Sequence, residues 1–365
     1  MKRTPLALAA SVASLTLFAG PAAAAKPSSV VTWGDGNKTA VRISGLPSSP
    51  TAVQAANWGG LVLDASGQVW TWYDSDAPEA SRVIGPTKVV SIGEGDSTRA
   101  PYGLAVTRSG KLWSWGHDAS GQLCNGTTSG GVESPAAVRG LKDAVQVSGG
   151  SDHVTILTTG GTVESCGGNA YGQLGDGSTA PSDVAVRVPG LSDITEVSAG
   201  SNTSDALDSR GTVWDWGRNN FGQLGDGNTK NSDVPVKVRL PAPAVEVYGG
   251  GGSKTNGESI ALLDNGQVWA WGSDGSGQLG DGRTGTYSEV PVEVRGLSAV
   301  TYVAMGGATG YAIDSSGNVW AWGANRNGQT GNGSDIDPVL EPQKVGSGFL
   351  EISATAAVFM GLKSG

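Results

Sequence analysis

A four-residue motif recurs along the chain, and its near-regular spacing constrains the fold more than any other feature of the sequence. Trp-x-Trp-Gly, complete or degenerate, occurs seven times, at residues 31–34, 70–73, 113–116, 164–167, 214–217, 269–272 and 320–323. The last aromatic position of successive copies is separated by between 39 residues (Trp33 to Trp72) and 55 residues (Trp216 to Trp271). Repetition with a period of this length is typical of propellers and other repeat architectures. One closed array is therefore favoured over two ordinary domains.

Each repeat contains four short runs of β-forming residues. In residues 194–238 these runs are ITEVSA, SDALD, TVWDWG and VPVKV, separated by Gly, Asn, Asp and Ser. Alternate residues of a strand share a face, so Trp214 and Trp216 point to the same side, where they can cover a neighbouring sheet. Four strands in each of seven units predict an all-β fold, a seven-bladed β-propeller with four-stranded blades.

The two ends of the chain each resemble part of one repeat. SSVVTWG at 28–34 matches the third strand, and MGLKSG at 360–365 matches the second strand and its turn. We therefore expect the N- and C-terminal strands to share one blade, which closes the ring and leaves no open sheet edge.

A glycine-rich segment follows five of the seven motifs, beginning at Gly121, Gly172, Gly222, Gly277 and Gly328. One such segment alone would suggest a phosphate or cation loop, but five copies indicate a structural unit. GDGRTG at 280–285 fits a dinucleotide fingerprint, yet TYSEVPVEV follows it where that fingerprint requires a helix. Asp176, Asp226 and Asp281 each stand alone in their loops, which favours Asx turns over calcium ligation. We expect no cofactor and no metal.

The first 25 residues predict a secretory signal peptide, with Lys2 and Arg3 ahead of an apolar run and small residues at 22–25. The expected domains are a signal at 1–25 and a propeller at 26–365, secreted, monomeric and without membrane insertion. The formal net charge is −9. Loss of Lys2 and Arg3 leaves 22 basic against 33 acidic residues, or −11. This balance argues against a nucleic-acid partner, which requires clustered Lys and Arg.

These repeats resemble the regulator of chromosome condensation family. The likeness lies in GSDHVTILTTGGTV at 150–163, in Trp-x-Trp-Gly and in GQLGDG, and it covers the whole mature chain. The repeats of Trp33 and Trp72 lack GQLG, and only Gly150–His153 keeps the family's Gly-x-x-His. The export signal and the shared blade also resemble secreted propeller-type β-lactamase inhibitory proteins, non-enzymes that bind a target through one face. This resemblance implies a protein partner such as a β-lactamase or another cell-wall-associated enzyme. An exported acidic chain does not suit the nucleotide-exchange role of the founding family member.

Aromatic residues and histidines at variable positions predict a binding face. Aligning the repeats assigns Trp58, Tyr102 and His153 to the loops between first and second strands. It assigns Tyr73, His117, Tyr171 and Phe221 to the loops between third and fourth strands, which open on the same side. Aromatic side chains dominate many protein interfaces, so these seven positions form the predicted partner-binding face. Scattered surface aromatics would produce the same pattern.

No catalytic residue stands out. The chain has two histidines and no Gly-x-Ser-x-Gly elbow. His153 occupies the family's usual His position, which favours a structural hydrogen bond. A polysaccharide hydrolase or lyase and a purely structural envelope propeller are the alternatives to a binding protein. Convergent acids at the mouth of the channel would favour the enzyme.

The two cysteines replace residues of the repeat in adjacent units. Cys124 stands where GQLG has its second glycine, and Cys166 stands where the next unit has its tryptophan. This suggests a coupled exchange, and an exported protein permits a disulfide. Two independent buried thiols are the alternative.

Overall fold

The structure is a computed structural model that describes residues 27–34, 37–46, 49–56, 59–73, 78–97, 100–128, 130–250, 257–334, 336–355 and 358–364. The predicted signal peptide lies outside these residues. Within them the chain forms seven four-stranded antiparallel sheets, the blades of a β-propeller.

The strands follow the chain from blade to blade. The chain starts with β1 (Pro27–Gly34) and β2 (Asn37–Arg42). Blade I contains β3 (Pro50–Ala56), β4 (Gly59–Asp64), β5 (Val69–Tyr73) and β6 (Ser81–Arg82). Blade II contains β7 (Val89–Ser97), β8 (Ala100–Thr107), β9 (Leu112–Gly116) and β10 (Val132–Ala137). Blade III contains β11 (Ala144–Gly149), β12 (His153–Thr158), β13 (Val163–Gly167) and β14 (Ser182–Arg187).

The remaining blades repeat this order. Blade IV contains β15 (Ile194–Ala199), β16 (Thr203–Asp208), β17 (Val213–Gly217) and β18 (Ser232–Lys237). Blade V contains β19 (Ala244–Gly249), β20 (Glu258–Leu263), β21 (Val268–Ser273) and β22 (Tyr287–Glu293). Blade VI contains β23 (Val300–Gly306), β24 (Thr309–Asp314), β25 (Val319–Gly323) and β26 (Val339–Gly346). The last strands are β27 (Phe349–Ala354) and β28 (Val358–Ser364).

Both ends of the chain build blade VII, as the sequence predicts. Its strand order is β2-β1-β28-β27, so the N-terminal strand lies between its neighbour and the C-terminal strand. β1 and β28 are antiparallel, with Val30 opposite Leu362 and Trp33 opposite Phe359. The rings of Trp33 and Phe359 stack with centroids 6.1 Å apart. This pairing closes the ring.

The hydrophobic core lies between blades, where the motif tryptophans pack. One cluster joins Leu207 and Val213 of blade IV to Val247 and Trp271 of blade V, with Trp269 packed against it. Trp271 is fully buried, while Trp269, two residues earlier on the same face, is only partly buried. Period-two alternation therefore places both rings of Trp-x-Trp on the side of the preceding blade.

The glycine-rich loops join each blade to the next. The Trp271 Nε1 donates to the carbonyl oxygen of Gln223 at 3.0 Å, and Trp216 and Trp322 make the same bond to Gln173 and Gln278. The second glycine of the loop lies beneath the ring: a Cβ on Gly175 would stand 2.6 Å from the Trp216 Nε1. Gly175 also has a positive φ of 67°, which glycine adopts without strain. The loops are therefore connectors between blades.

One junction uses a disulfide in place of this glycine and tryptophan. Cys124 of blade II and Cys166 of blade III are bonded, with Cα atoms 5.7 Å apart. Val154 lies opposite Cys166, where other blades have Ser204 or Gly310 opposite the tryptophan. The valine methyl groups occupy the side of the sheet on which a tryptophan ring would lie. Three substitutions are thus coupled at this junction, of which the sequence suggested two.

Candidate protein-binding face

The connections of the propeller emerge on two opposite faces. The loops from first to second strands and those from third to fourth strands lie together on one face, which we call the loop face. There, Gly168 N donates to Asp152 O at 2.7 Å, and Arg218 N donates to Asn202 O at 3.0 Å. The turns from second to third strands and the connections between blades lie on the opposite face, which we call the turn face. There, Arg108 N donates to Lys88 O at 2.8 Å. The predicted binding residues belong to the loop face.

The glycine-rich loops of this face are built as turns. Asp176 Oδ1 accepts the Ser178 N–H at 3.0 Å, and Asp281 Oδ1 accepts the Arg283 N–H at 3.1 Å. These are Asx turns, as the sequence predicts. The buried Asn169 side chain holds its loop by accepting from Leu174 N and donating to Ala180 O. In the described part of the chain, no group of three or more His, Cys, Asp or Glu residues is arranged to hold a metal ion.

Two predicted face residues are not on the surface. Tyr102 is 1% exposed and His153 is fully buried. Each belongs to a second strand rather than a loop, since Tyr102 lies opposite Gly116 and His153 opposite Gly167. The prediction that their side chains face solvent is therefore corrected.

These two side chains instead fasten three successive blades together. The Tyr102 hydroxyl donates to the carbonyl oxygens of Gly150 and His153 in blade III, at 2.8 and 2.7 Å. His153 Nε2 lies 2.9 Å from the Ser204 Oγ of blade IV. Burial lowers the pKa of His153 to about 4, so the ring is neutral at neutral pH. This is the structural hydrogen-bonding role that the sequence favoured for His153.

The other five predicted residues divide into two groups. Trp58 lies outside the described residues, and for Tyr73 the structure describes the backbone of β5 only. His117, Tyr171 and Phe221 lie in loops of the loop face, in blades II, III and IV, and each is partly exposed. These three remain candidates for contact with a partner.

Tyr171 and Phe221 each contact a side chain of the next blade, and the two contacts together involve three blades. The Arg218 guanidinium of blade IV lies over the Tyr171 ring of blade III, with its Cζ 5.2 Å from the ring centroid. Phe221 meets Tyr287 of blade V edge to face, with centroids 6.4 Å apart. Tyr287 is 43% exposed. We call Tyr171, Arg218, Phe221 and Tyr287 the aromatic patch.

Carboxylates surround the aromatic patch. Loop residues Asp176 and Asp226 and fourth-strand residues Asp183, Asp233 and Glu289 are all partly exposed on this face. Each fourth-strand segment also receives the loop of the preceding blade, as when Gly177 N donates to Asp233 O at 2.9 Å. The patch therefore presents aromatic rings and one cation in an acidic surrounding.

A set of glutamates on the first strands was missed by sequence reasoning: Glu351 is buried, and Glu196 and Glu246 are partly buried. Glu246 Oε2 accepts the Val303 N–H of blade VI at 3.0 Å, and Glu351 Oε1 accepts the Val53 N–H of blade I at 3.1 Å. Burial raises the pKa of Glu351 to about 7 and that of Glu196 to about 8. For Glu246, burial and the nearby Glu196 raise the pKa well above its usual value. The only sequence signal was the acid in ITEVSA, AVEVYG and FLEISA.

Blade IV also holds a buried pair of carboxyl groups. Asp205 and Asp215 lie directly opposite each other on β16 and β17 and are fully buried. Trp271 Nε1 donates to Asp215 Oδ2 at 3.1 Å. Burial raises the pKa of Asp205 to about 7, and burial together with the nearby Asp205 raises that of Asp215 well above its usual value. The pair therefore retains a proton at neutral pH, and neither side chain is exposed to solvent.

Comparison with known proteins agrees with this architecture. The RCC1-like domain profile matches residues 22–363. The chain belongs to the RCC1-like domain family. It is 28% identical over 270 residues to the ultraviolet-B receptor UVR8 of Arabidopsis thaliana, covering 72% of this chain and 59% of the receptor. The protein RCC2 homolog of Danio rerio is 43% identical over 81 residues, covering 22% of this chain and 16% of that protein.

A solved structure shares the whole fold. That of Prp20p from Saccharomyces cerevisiae superposes with a TM-score of 0.78 at 17% identity, covering 93% of this chain and 92% of the other, and it was described together with binding to Gsp1p and histones. This RCC1-like chain spans less than two thirds of the length of each curated relative named above. Among its described residues, no helix has the length and apolar character needed to cross a membrane.

Proposed function

We propose that this RCC1-like propeller is an exported, non-catalytic protein that binds another protein through its loop face. The observation that carries the proposal is the aromatic patch, in which Tyr171, Arg218, Phe221 and Tyr287 stand at the joints of three blades. Tyr and Arg are among the residue types enriched at the energetic centres of protein interfaces. Their mutual contacts limit side-chain motion before binding, which reduces the entropy lost on association.

The same patch indicates the kind of partner. Its acidic surroundings favour a partner with basic residues at the rim of the interface, since complementary charge accelerates association and excludes other proteins. The resemblance to propeller-type inhibitory proteins makes a β-lactamase or another cell-wall-associated enzyme the first candidate. Binding of Gsp1p and histones by Prp20p is a precedent for protein recognition on this fold.

The test is binding of a β-lactamase panel, or of a partner captured from culture medium, by patch variants. Phe221→Ala and Tyr287→Ala should each weaken binding roughly thirtyfold, equivalent to about 2 kcal/mol for a central aromatic side chain. Ile84→Ala is the matched control, because Ile84 is 72% exposed on the opposite side. Binding that survives replacement of the whole patch in a folded protein would refute this function.

The alternative function, a polysaccharide hydrolase or lyase, has one observation in its favour. Glu196, Glu246 and Glu351 converge on the first strands and have raised pKa values. A general acid requires such a pKa. However, Glu246 and Glu351 each accept a backbone N–H of a neighbouring blade, which is a structural use of the carboxylate. We expect the mature protein to release no reducing ends or unsaturated products from bacterial polysaccharides, and turnover that Glu246→Gln abolishes would establish the enzyme.

A further inference from the structure

The described cations of the propeller are concentrated on one of its two faces. The loop face carries the acids around the aromatic patch, whereas most described Lys and Arg residues lie at the turn face. Net charge is a sum over the whole chain and does not reveal such a division. The net negative charge would argue against a polyanionic partner if the charges were evenly spread. It does not do so where cations are concentrated on one face.

The densest part of the turn face belongs to blade II. Three segments meet there: 82–88, which enters the blade, 107–112, which turns from β8 to β9, and 138–144, which leaves it. Their contacts include Arg108 N to Lys88 O at 2.8 Å and Ala144 N to Gly110 O at 3.1 Å. Together they contain one acid, Asp143, and six exposed cations: Arg82, Lys88, Arg108, Lys111, Arg139 and Lys142. We call these six residues the basic patch.

The second-to-third turn of blade II begins with a threonine, as it does in blade III (Thr158), where three other blades have an aspartate. Blades I, IV and VI begin this turn with Asp64, Asp208 and Asp314. In blade I, Asp64 Oδ1 accepts from Ser66 N and Gln68 N. Blade II has Thr107, whose Oγ1 lies 3.3 Å from the Lys111 N. A hydroxyl replaces the carboxylate, so the turn loses its negative charge in the blade that carries Arg108 and Lys111.

The six cations have no ionic partners among the described residues. The ion pairs of that part of the chain involve Arg210, Arg283 and Arg326. On the same turn face Arg210 is paired with Asp208 at 3.1 Å. A group of unpaired like charges destabilises the compact protein through self-repulsion unless something else neutralises it.

We propose that the basic patch binds a linear phosphate polymer without bases, such as a polyol phosphate or polyphosphate chain. The cations are exposed and spread over three segments, which suits a chain of charges rather than one anion in a pocket. A densely charged phosphate chain also releases condensed counterions on binding. The entropy gained from the released counterions offsets the repulsion between the polymer and the net negative protein. An acidic protein partner has no such atmosphere of condensed counterions and would not gain this entropy.

The surroundings of the patch favour a polymer without bases over a nucleic acid. Proteins that bind single strands combine a positive groove with aromatic side chains on which bases stack. The exposed large apolar side chain among the three segments is Ile84, and the exposed Tyr287 lies on the loop face. Trp70 and Trp113 border the patch, but both rings are packed against hydrophobic clusters between blades, so they do not form a free stacking surface. Charge therefore dominates recognition here.

The experiment measures binding of long-chain inorganic polyphosphate to the mature protein at several salt concentrations. Six phosphate contacts at about 0.7 each predict a slope of about −4 in log K against log salt, which is a loss of roughly 250-fold in affinity between 50 and 200 mM salt. Lys88→Glu/Arg108→Glu/Lys142→Glu should abolish binding. Lys237→Glu/Arg239→Glu/Arg295→Glu is the matched control, because it changes the net charge equally at exposed cations outside the basic patch, and it should retain most of the affinity.

Three results would overturn the proposal. Equal loss in the two triple variants would mean that general charge, not the basic patch, attracts the polymer. Equal or tighter binding of poly-glutamate would assign the patch to acidic proteins, and tighter binding of a single-stranded oligonucleotide would assign it to nucleic acid. Absence of polyphosphate binding at 50 mM salt by a folded wild-type protein would leave the patch without this function.

Discussion

The disulfide junction between blades II and III offers a direct test of how the blades are held together. Cys124→Ala/Cys166→Ala removes a bond that closes a loop with a sequence separation of 42 residues. In the chain-entropy treatment, this loss destabilises the protein by about 4 kcal/mol. At about 2 °C per kcal/mol for a chain of this size, the Tm should fall by about 8 °C.

A second variant rebuilds the junction with the residues that the other blades use. Cys124→Gly/Val154→Ser/Cys166→Trp copies the arrangement of Gly175, Ser204 and Trp216. Cys124 has a positive φ of 53°, which glycine accommodates. Burial of about 200 Å² of tryptophan surface contributes about 5 kcal/mol before the lost valine contacts are subtracted. We expect this variant to recover most of the lost stability without a disulfide.

The assay is thermal unfolding of the wild type and both variants, with non-reducing mass spectrometry to confirm the state of the cysteines. Recovery in the rebuilt variant requires that the three substitutions be coupled. A rebuilt variant that melts at or below the double alanine variant would refute the coupling between glycine, tryptophan and the opposite small residue. A double alanine variant as stable as wild type would remove the energetic role of the disulfide.

Three further outcomes concern stability. In the folded protein, Glu196 and Glu351 have pKa values of about 8 and 7, compared with an ordinary value of 4.5. Their contribution to the free energy of unfolding is therefore fully present below pH 4.5, and it is lost as the pH rises through the pKa values of the folded protein. Between pH 6.5 and 8.5, above the range in which His153 titrates, these two groups alone should lower the free energy of unfolding in urea by about 3 kcal/mol, and Asp205, Asp215 and Glu246 add to the loss. The loss should be smaller in Glu351→Gln, and a flat profile would contradict the raised pKa values. Trp271→Ala should cost about 3 to 5 kcal/mol in the same assay, and a cost below 1 kcal/mol would show that the ring is not core. Tyr102→Phe removes the hydroxyl donor from the carbonyl oxygens of Gly150 and His153, of which His153 O keeps its bond from Gly150 N. This loss should cost about 1 to 3 kcal/mol, and unchanged stability would contradict the role of the hydroxyl between blades.

The architecture could be predicted because the residues that specify each blade lie close together in the sequence of each repeat. Trp-x-Trp-Gly marks the third strand, period-two alternation assigns Trp214 and Trp216 to one face, and the partial repeats at the two ends specify blade VII. Each of these signals lies within a few residues of the structure that it specifies. Repetition then supplies the same signal several times over.

The candidate site was harder to predict because it depends on where strands begin and on contacts between blades. Tyr102 and His153 align with loop positions, yet each pairs with the glycine that ends the third strand and is therefore buried. The sequence did not indicate that Tyr287 belongs to the site, because its contact with Phe221 joins two blades. The division of charge was missed for a similar reason: composition counts Lys and Arg without assigning them to a face.

The most direct test of protein binding through the loop face is amide hydrogen exchange of the mature protein alone and saturated with a captured partner or a β-lactamase. We predict that protection increases in the loops around Tyr171 and Phe221 and at the start of β22, while the turns of blade II that carry Arg108 and Lys142 exchange as before. Protection confined to the turn face, or spread equally over both faces, would contradict the assignment of the partner to the aromatic patch.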